Sequence, residues 1–150
     1  MKIALALLVL AVPARAWAQE RTIQRADLPP AVARTVATVS QGATVSGFSR
    51  EVENGQTLYE VELRVNGHGK DVTMDSTGAV IEVEEEVALA SLPAAVQAGI
   101  RAGAGAGTIR NVESVTKNGQ LVAYEAHVVT GQKRSEVKVG PDGKPIANER

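Results

Sequence analysis

Leu28-Pro29-Pro30-Ala31-Val32 and Leu92-Pro93-Ala94-Ala95-Val96 are one phrase written twice, 64 residues apart. The residues after each phrase recur as well: a β-branched stretch, an Asn-Gly dipeptide, a Tyr-Glu strand and a closing turn with Gly. A repeat of this size is one small unit duplicated and packed against itself. A unit of about 60 residues has a marginal core of its own, so the two copies are expected to share an interface or a sheet edge.

Each phrase opens a helix. In the first copy Leu28, Val32, Val36 and Val39 form one apolar stripe, with Arg34 and small polar residues facing out. Asp27 stands where an N-cap belongs, and Pro29 falls in a first turn, where its missing N–H is no loss. In the second copy Ser91 takes the cap, Pro93 the first turn, and Leu92, Val96 and Ile100 the stripe. Each glycine inside a helix costs about 1 kcal/mol against alanine. Gly99 and Gly103 therefore predict a short second helix, and Gly103-Ala104-Gly105-Ala106-Gly107 a flexible linker. That stretch lacks the Gly-Lys-Ser/Thr ending of a phosphate-binding loop.

Strands come next, at Thr44 to Val52 and at Thr108 to Val115. Asn54-Gly55 and Asn118-Gly119 then predict tight hairpins, since both residues tolerate the positive φ of a type I′ turn. In the next strands Tyr59, Val61, Leu63 and Val65 share one face while Glu60, Glu62 and Arg64 share the other. Tyr124, Ala126 and Val128 alternate likewise with Glu125 and His127. Such alternation describes a sheet with one buried and one wet face. Third strands carry Val72 and Met74, or Val137 and Val139, and a fourth runs from Val80 to Val87. In the second copy the fourth is cut to Pro145-Ile146, and proline has no place in a central ladder. The fold class is α+β in two layers: two tandem copies of a helix plus a three- to four-stranded antiparallel sheet, over 19–87 and 88–150. Whether the copies form one continuous sheet stays open at this level.

Residues 1–18 read as an export signal: Lys2, an apolar run from Ile3 to Val12, and the small-x-small site Ala16-Trp17-Ala18. The run is too short for a helix across a bilayer core of about 30 Å. The remainder is expected in the periplasm or outside the cell, with no membrane insertion after cleavage. Cysteine is absent, which excludes disulfides, thiolate metal sites and cysteine catalysis. Without Lys2 and Arg15, 14 basic residues stand against 17 acidic ones, a net charge of −3. This well-mixed balance gives no basic footprint for nucleic acid.

Catalytic constellations are missing. His68 and His127 fall at unmatched places in the repeat, and no serine lies in a nucleophile motif. Glu82, Glu84, Glu85 and Glu86 form the one charge run; it fits no EF-hand spacing and reads as a solvated strand face. No catalytic residue, cofactor or metal is assigned. Tyr59 and Tyr124 recur in register, either as core packing or as rings lining a binding surface.

The pattern Leu-Pro-x-x-Val, Asn-Gly, Tyr-Glu and a turn with Gly before a hydrophobic residue resembles the PepSY-like family. It is carried by Leu28, Pro29, Val32, Gly55, Tyr59, Glu60, Val61, Gly78 and Val80. It recurs in Leu92, Pro93, Val96, Gly119, Tyr124, Glu125, Gly143 and, loosely, Ile146. The resemblance implies a fold of the β-lactamase-inhibitory-protein-like group and a non-enzymatic role restraining partner proteins, notably proteases. The expected function is that of an exported binding protein for a protein or peptide partner, with inhibition as one form of it. The candidate partner surface is Tyr59, Tyr124, Glu60, Glu125 and His127. The alternative is a small-ligand or metal-binding module using Glu82 to Glu86 with His68 or His127.

Overall fold

The structure is a computed structural model that describes residues 20–147; the expected export signal, 1–18, lies outside the described residues. In chain order the elements are β1 (Arg21–Thr22), α1 (Pro30–Val39), β2 (Thr44–Glu53), β3 (Gln56–Val65), β4 (His68–Asp75) and β5 (Val80–Glu86). Then come α2 (Ala94–Ala104), β6 (Thr108–Lys117), β7 (Gln120–Thr130) and β8 (Lys133–Val139). All eight strands belong to one sheet, antiparallel throughout and in sequence order. The α+β class is as expected. The short β1, pairing Arg21 with Arg50, is an addition that the sequence pattern did not reveal.

Turn chemistry sets the register. Asn54-Gly55, Asn66-Gly67 and Asn118-Gly119 all have positive φ at both residues, 49° and 80°, 52° and 89°, and 49° and 77°. Type I′ turns of this kind match the twist of the strands that they join. β5 then pairs with β6, Glu82 opposite Lys117 and Glu86 opposite Glu113. This pairing makes one sheet of the two copies and removes an open edge from each.

One face is traced strand by strand through Leu63, Lys70, Glu85, Ser114, Tyr124 and Val139, each opposite the next. Both helices lie on this face. Val32 and Val36 of α1 meet Val61, Leu63, Val72 and Met74. Val96 and Ile100 of α2 meet Val112, Tyr124, Ala126, Val128 and Val139. Between these two cores runs a polar seam, where Lys70 Nζ is 3.4 Å from Glu85 Oε2 and Ser114 Oγ donates to the Glu85 carbonyl at 3.3 Å. The helix face thus has one apolar patch per helix. Among the described residues no helix is long and apolar enough to cross a membrane.

Both helices start later than their expected caps. Pro29 and Pro93 occupy the N-cap positions, without a side-chain cap. Asp27 and Ser91 instead close 3-10 turns at Arg25–Asp27 and Leu89–Ser91. The Asp27 carboxylate accepts from Gln24 N–H at 2.9 Å, and Ser91 Oγ donates to the Ala88 carbonyl at 2.7 Å. Leu28 and Leu92 precede prolines, which hold them extended (ψ 135° and 159°) and push the helix start forward.

The glycine-rich second helix needs the larger correction. It runs eleven residues, one more than α1, and includes Gly99 and Gly103. The first two residues of the expected linker, Gly103 and Ala104, are thus helix, and Gly105 at φ 54° caps its end. The glycines are there for close approach. In the first copy the closing-turn Gly78 (φ 82°) sits under α1, where a Cβ would lie 2.7 Å from the Ala31 carbonyl oxygen. Thr35 Oγ1 donates to the Gly78 carbonyl at 2.7 Å. In the second copy Gly143 takes the place of Gly78 and Gly99 that of Thr35, and a methyl on Gly99 would overlap the Gly143 carbonyl. A backbone carbonyl cannot yield as a side chain can. Overpacking costs about 1–3 kcal/mol, against the roughly 1 kcal/mol that alanine gains in helix propensity. Gly99→Ala is expected to lower the urea midpoint, with a net loss of up to about 2 kcal/mol. A stabilised variant would show that α2 does not rest on the closing turn.

Candidate interaction surface

The face without helices collects acid. Its register runs Gly47, Glu62, Asp71, Glu84 and Val115, each opposite the next across β2 to β6. A second row runs Ser49, Glu60, Thr73, Glu82 and Lys117, and a third runs Glu86, Glu113, Glu125 and Lys138. Glu62 beside Asp71, Asp71 beside Glu84 and Glu113 beside Glu125 are like charges directly opposed, an arrangement that destabilises a sheet.

Counter-charges reach only part of this surface. Lys117 Nζ lies 3.0 Å from Glu82 Oε2, Arg64 Nη1 4.0 Å from Glu86 Oε2, and Lys138 pairs with Glu125. Among the described residues no salt bridge reaches Glu60, Glu62, Asp71 or Glu84. Several of these groups also border apolar ground. Val115, opposite Glu84, is fully buried, and Leu58 is 7% exposed beside Glu60 in a hollow of about 50 Å³ with Ser49, Glu51 and Thr73.

Desolvation and crowding therefore raise the proton affinity of Glu84, Glu60 and Asp71. Burial, then the charges of Glu125, Glu82 and Glu113, pushes Glu84 up to about 8. Burial, then Asp71 and other acids, raises Glu60 to about 7. Asp71 rises to about 6 through burial and then Glu62 and Glu113, with Arg64 opposing. Glu51 also rises, mainly by burial.

The expected partner residues fall on two faces. Glu60, Glu125 and His127 lie on the open face. Tyr124 lies on the helix side, 9% exposed in the second core, and Tyr59 packs half-buried against the first. Each tyrosine shares its strand parity with the core residues Val61 or Ala126, and only Tyr59 also borders the hollow beside Glu60. His127 lies between acids of the neighbouring strands, Nε2 3.2 Å from Glu113 Oε2 and Nδ1 3.7 Å from Glu136 Oε1. His68 opens β4 on the exposed surface opposite Val65. Among the described residues no group of three or more His, Asp or Glu side chains is placed to hold a metal ion, so the metal-binding alternative finds no ligand set there.

Sequence reasoning passed over Asp71, Glu84 and Glu113 as members of one surface. Glu82, Glu84 and Glu86 were readable as a strand face, yet their neighbours come from other hairpins. The signal lay in the two-residue turns, which fix what stands opposite what.

No family model and no curated protein matches the sequence. Solved structures do resemble the chain. A candidate periplasmic protein of Bacteroides eggerthii superposes with a TM-score of 0.64 at 18% identity, over 80% of this chain and 86% of that one. A DUF2874 family protein of Bacteroides ovatus gives 0.62 at 18%, over 80% and 85%. A BLIP-like protein of Bacteroides fragilis gives 0.57 at 17%, over 80% and 84%. At this identity the likeness is one of fold. The chain has the two-layer α+β fold of the DUF2874 and BLIP-like proteins, the fold to which the PepSY-like resemblance pointed.

The raised carboxylates dictate an inverted pH dependence. Their folded pKa values stand above ordinary carboxylate values, so between about pH 4.5 and 8 the folded chain binds more protons than the unfolded one. Their contribution is fully present at the lower end and is lost as pH rises through 6 to 8. Asp75, held low chiefly by the hydrogen bond from Thr77, opposes this only under more acidic conditions. The melting temperature is expected to peak near pH 5 and fall toward pH 8, less steeply in high salt. A curve rising from pH 5 to 8 would contradict this reading.

Proposed function

We propose that the chain is an exported, non-enzymatic binding protein of the periplasm whose open sheet face receives a basic segment of a partner protein. In this reading 1–18 is the export signal, and 19–87 and 88–150 are the two copies of the unit. The observation that carries it is the unrelieved row Glu62, Asp71 and Glu84, flanked by Glu60. Opposed carboxylates cost stability, and a cationic partner would relieve that cost on binding. Glu125 and His127 border the row from β7, and both are already engaged within the chain.

The periplasmic assignment draws on the signal-like sequence and on the candidate periplasmic protein of similar fold. The BLIP-like structure supports protein binding as a use of this fold, although fold alone is a weak guide to function. Enzyme inhibition is the narrower form of the proposal.

Affinity capture from the organism's own periplasmic extract tests it, with Glu62→Gln/Asp71→Asn/Glu84→Gln as the comparison. The wild-type chain is expected to retain a basic protein that elutes as ionic strength rises, and the variant to lose it. Equal retention by both chains would move the binding surface elsewhere.

A further inference from the structure

The second copy carries something that the first lacks. At the far end of β6, β7 and β8 lies a cleft of about 720 Å³ lined by Arg110, Asn111, His127, Val129, Arg134 and Glu136 among others. This volume suits a ligand of several residues rather than a single ion. Neither Arg110 nor Arg134 takes part in a salt bridge among the described residues. Both are exposed. In a chain whose open face is mainly acidic, two unengaged guanidiniums over one cleft are an exception.

The backbone explains how they come together. The register shifts between Ile109 and Asn111, leaving Arg110 as the extra residue of a β-bulge. Bulges re-aim a side chain and are common beside functional sites. Arg134 stands opposite Val129 on β8, so the two arginine backbones are two strand spacings apart, about 10 Å. Val129, half-buried, lies between them as an apolar floor. Asn111 and His127 are tied to Glu113, at 2.8 and 3.2 Å, and His127 also faces Glu136. The one carboxylate in the cleft wall, Glu136, faces His127 Nδ1 at 3.7 Å.

The first copy has the same bulge, between Val45 and Gly47. At its matching places stand Ser46, Glu62 and Gly69 instead of Arg110, His127 and Arg134. The frame is repeated and the cationic groups are not.

We infer that this cleft is a second binding site, which takes an extended acidic peptide segment with a carboxylate held by Arg110 and Arg134 and its apolar part on Val129. Guanidinium forks match carboxylates in geometry as well as in charge. The site lies apart from the Glu62, Asp71 and Glu84 row, and the two would read opposite charges.

Titration of the ¹⁵N-labelled chain from Gln19 onward, with the capped hexapeptide Glu-Leu-Glu-Leu-Glu-Leu, tests it by amide chemical shifts. Saturable shifts are expected at Arg110, Asn111, Val129 and Arg134 but not at Glu60, Asp71 or Glu84. Arg110→Gln/Arg134→Gln should weaken binding about tenfold or more, with the rest of its spectrum unchanged as proof of folding. The same peptide with Gln for Glu should leave the amides unmoved. Undiminished binding to the double variant, or equal binding of the Gln peptide, would overturn the site. Saturation of the same amides by inorganic phosphate at equal concentration would make it a free-anion site and overturn the peptide assignment.

Discussion

The ladder between β5 and β6 is the constraint on which the rest depends. The first copy ends and the second begins its sheet with a strand that would otherwise show a bare edge, and each holds a core of seven buried side chains under one helix. Neither core reaches the other across the Lys70–Glu85 seam. What couples them is backbone pairing from Glu82–Lys117 to Glu86–Glu113, reinforced beyond the ladder by Val87 N–H to the Val112 carbonyl at 2.9 Å. The same ladder makes the open face continuous, and it sets Glu84 within the influence of Glu113 and Glu125.

That ladder brings a division of labour between the two faces. The helix side is conservative: its stripes, its closing-turn glycines and its parity are alike in both copies. Where they differ, the change is compensated in place, as when Gly99 replaces Thr35 and the helix settles on Gly143 directly. The open side is where the copies diverge. The first presents carboxylates with few counter-charges, while the second mixes Lys117, His127 and Lys138 into its acids and adds Arg110 and Arg134. Duplication supplied the frame, and the unequal face holds the features that can discriminate between partners.

Much of this was legible from particular residues. Val32 and Val36, Val96 and Ile100, and the alternation around Tyr59 and Tyr124 gave the layers, because burial imposes its period on the chain. The Asn-Gly pairs even held the register: a two-residue turn at Asn66-Gly67 sets Val65 opposite His68, and hence Glu62 opposite Asp71. The β5–β6 pairing was beyond local reading, since a helix and two connecting turns intervene. The α2 glycines misled for a related reason. Propensity scores a glycine by what it costs the helix alone, whereas Gly99 and Gly103 answer to Gly143 and Val137, some 35 to 45 positions away. Tyr59 and Tyr124 recurred because the core recurs.

Carboxylate repulsion on the open face, relieved by a cationic partner, is the central claim. The most direct measurement is the thermal shift that a lysine-rich decapeptide produces at pH 8 and at pH 5. A ligand that binds only the folded chain raises its melting temperature, and here the effect should track the charge on Glu60, Asp71 and Glu84. A clear rise is predicted at pH 8, shrinking at pH 5, where those groups are protonated. A shift of equal size at both pH values, or none at pH 8, would contradict it.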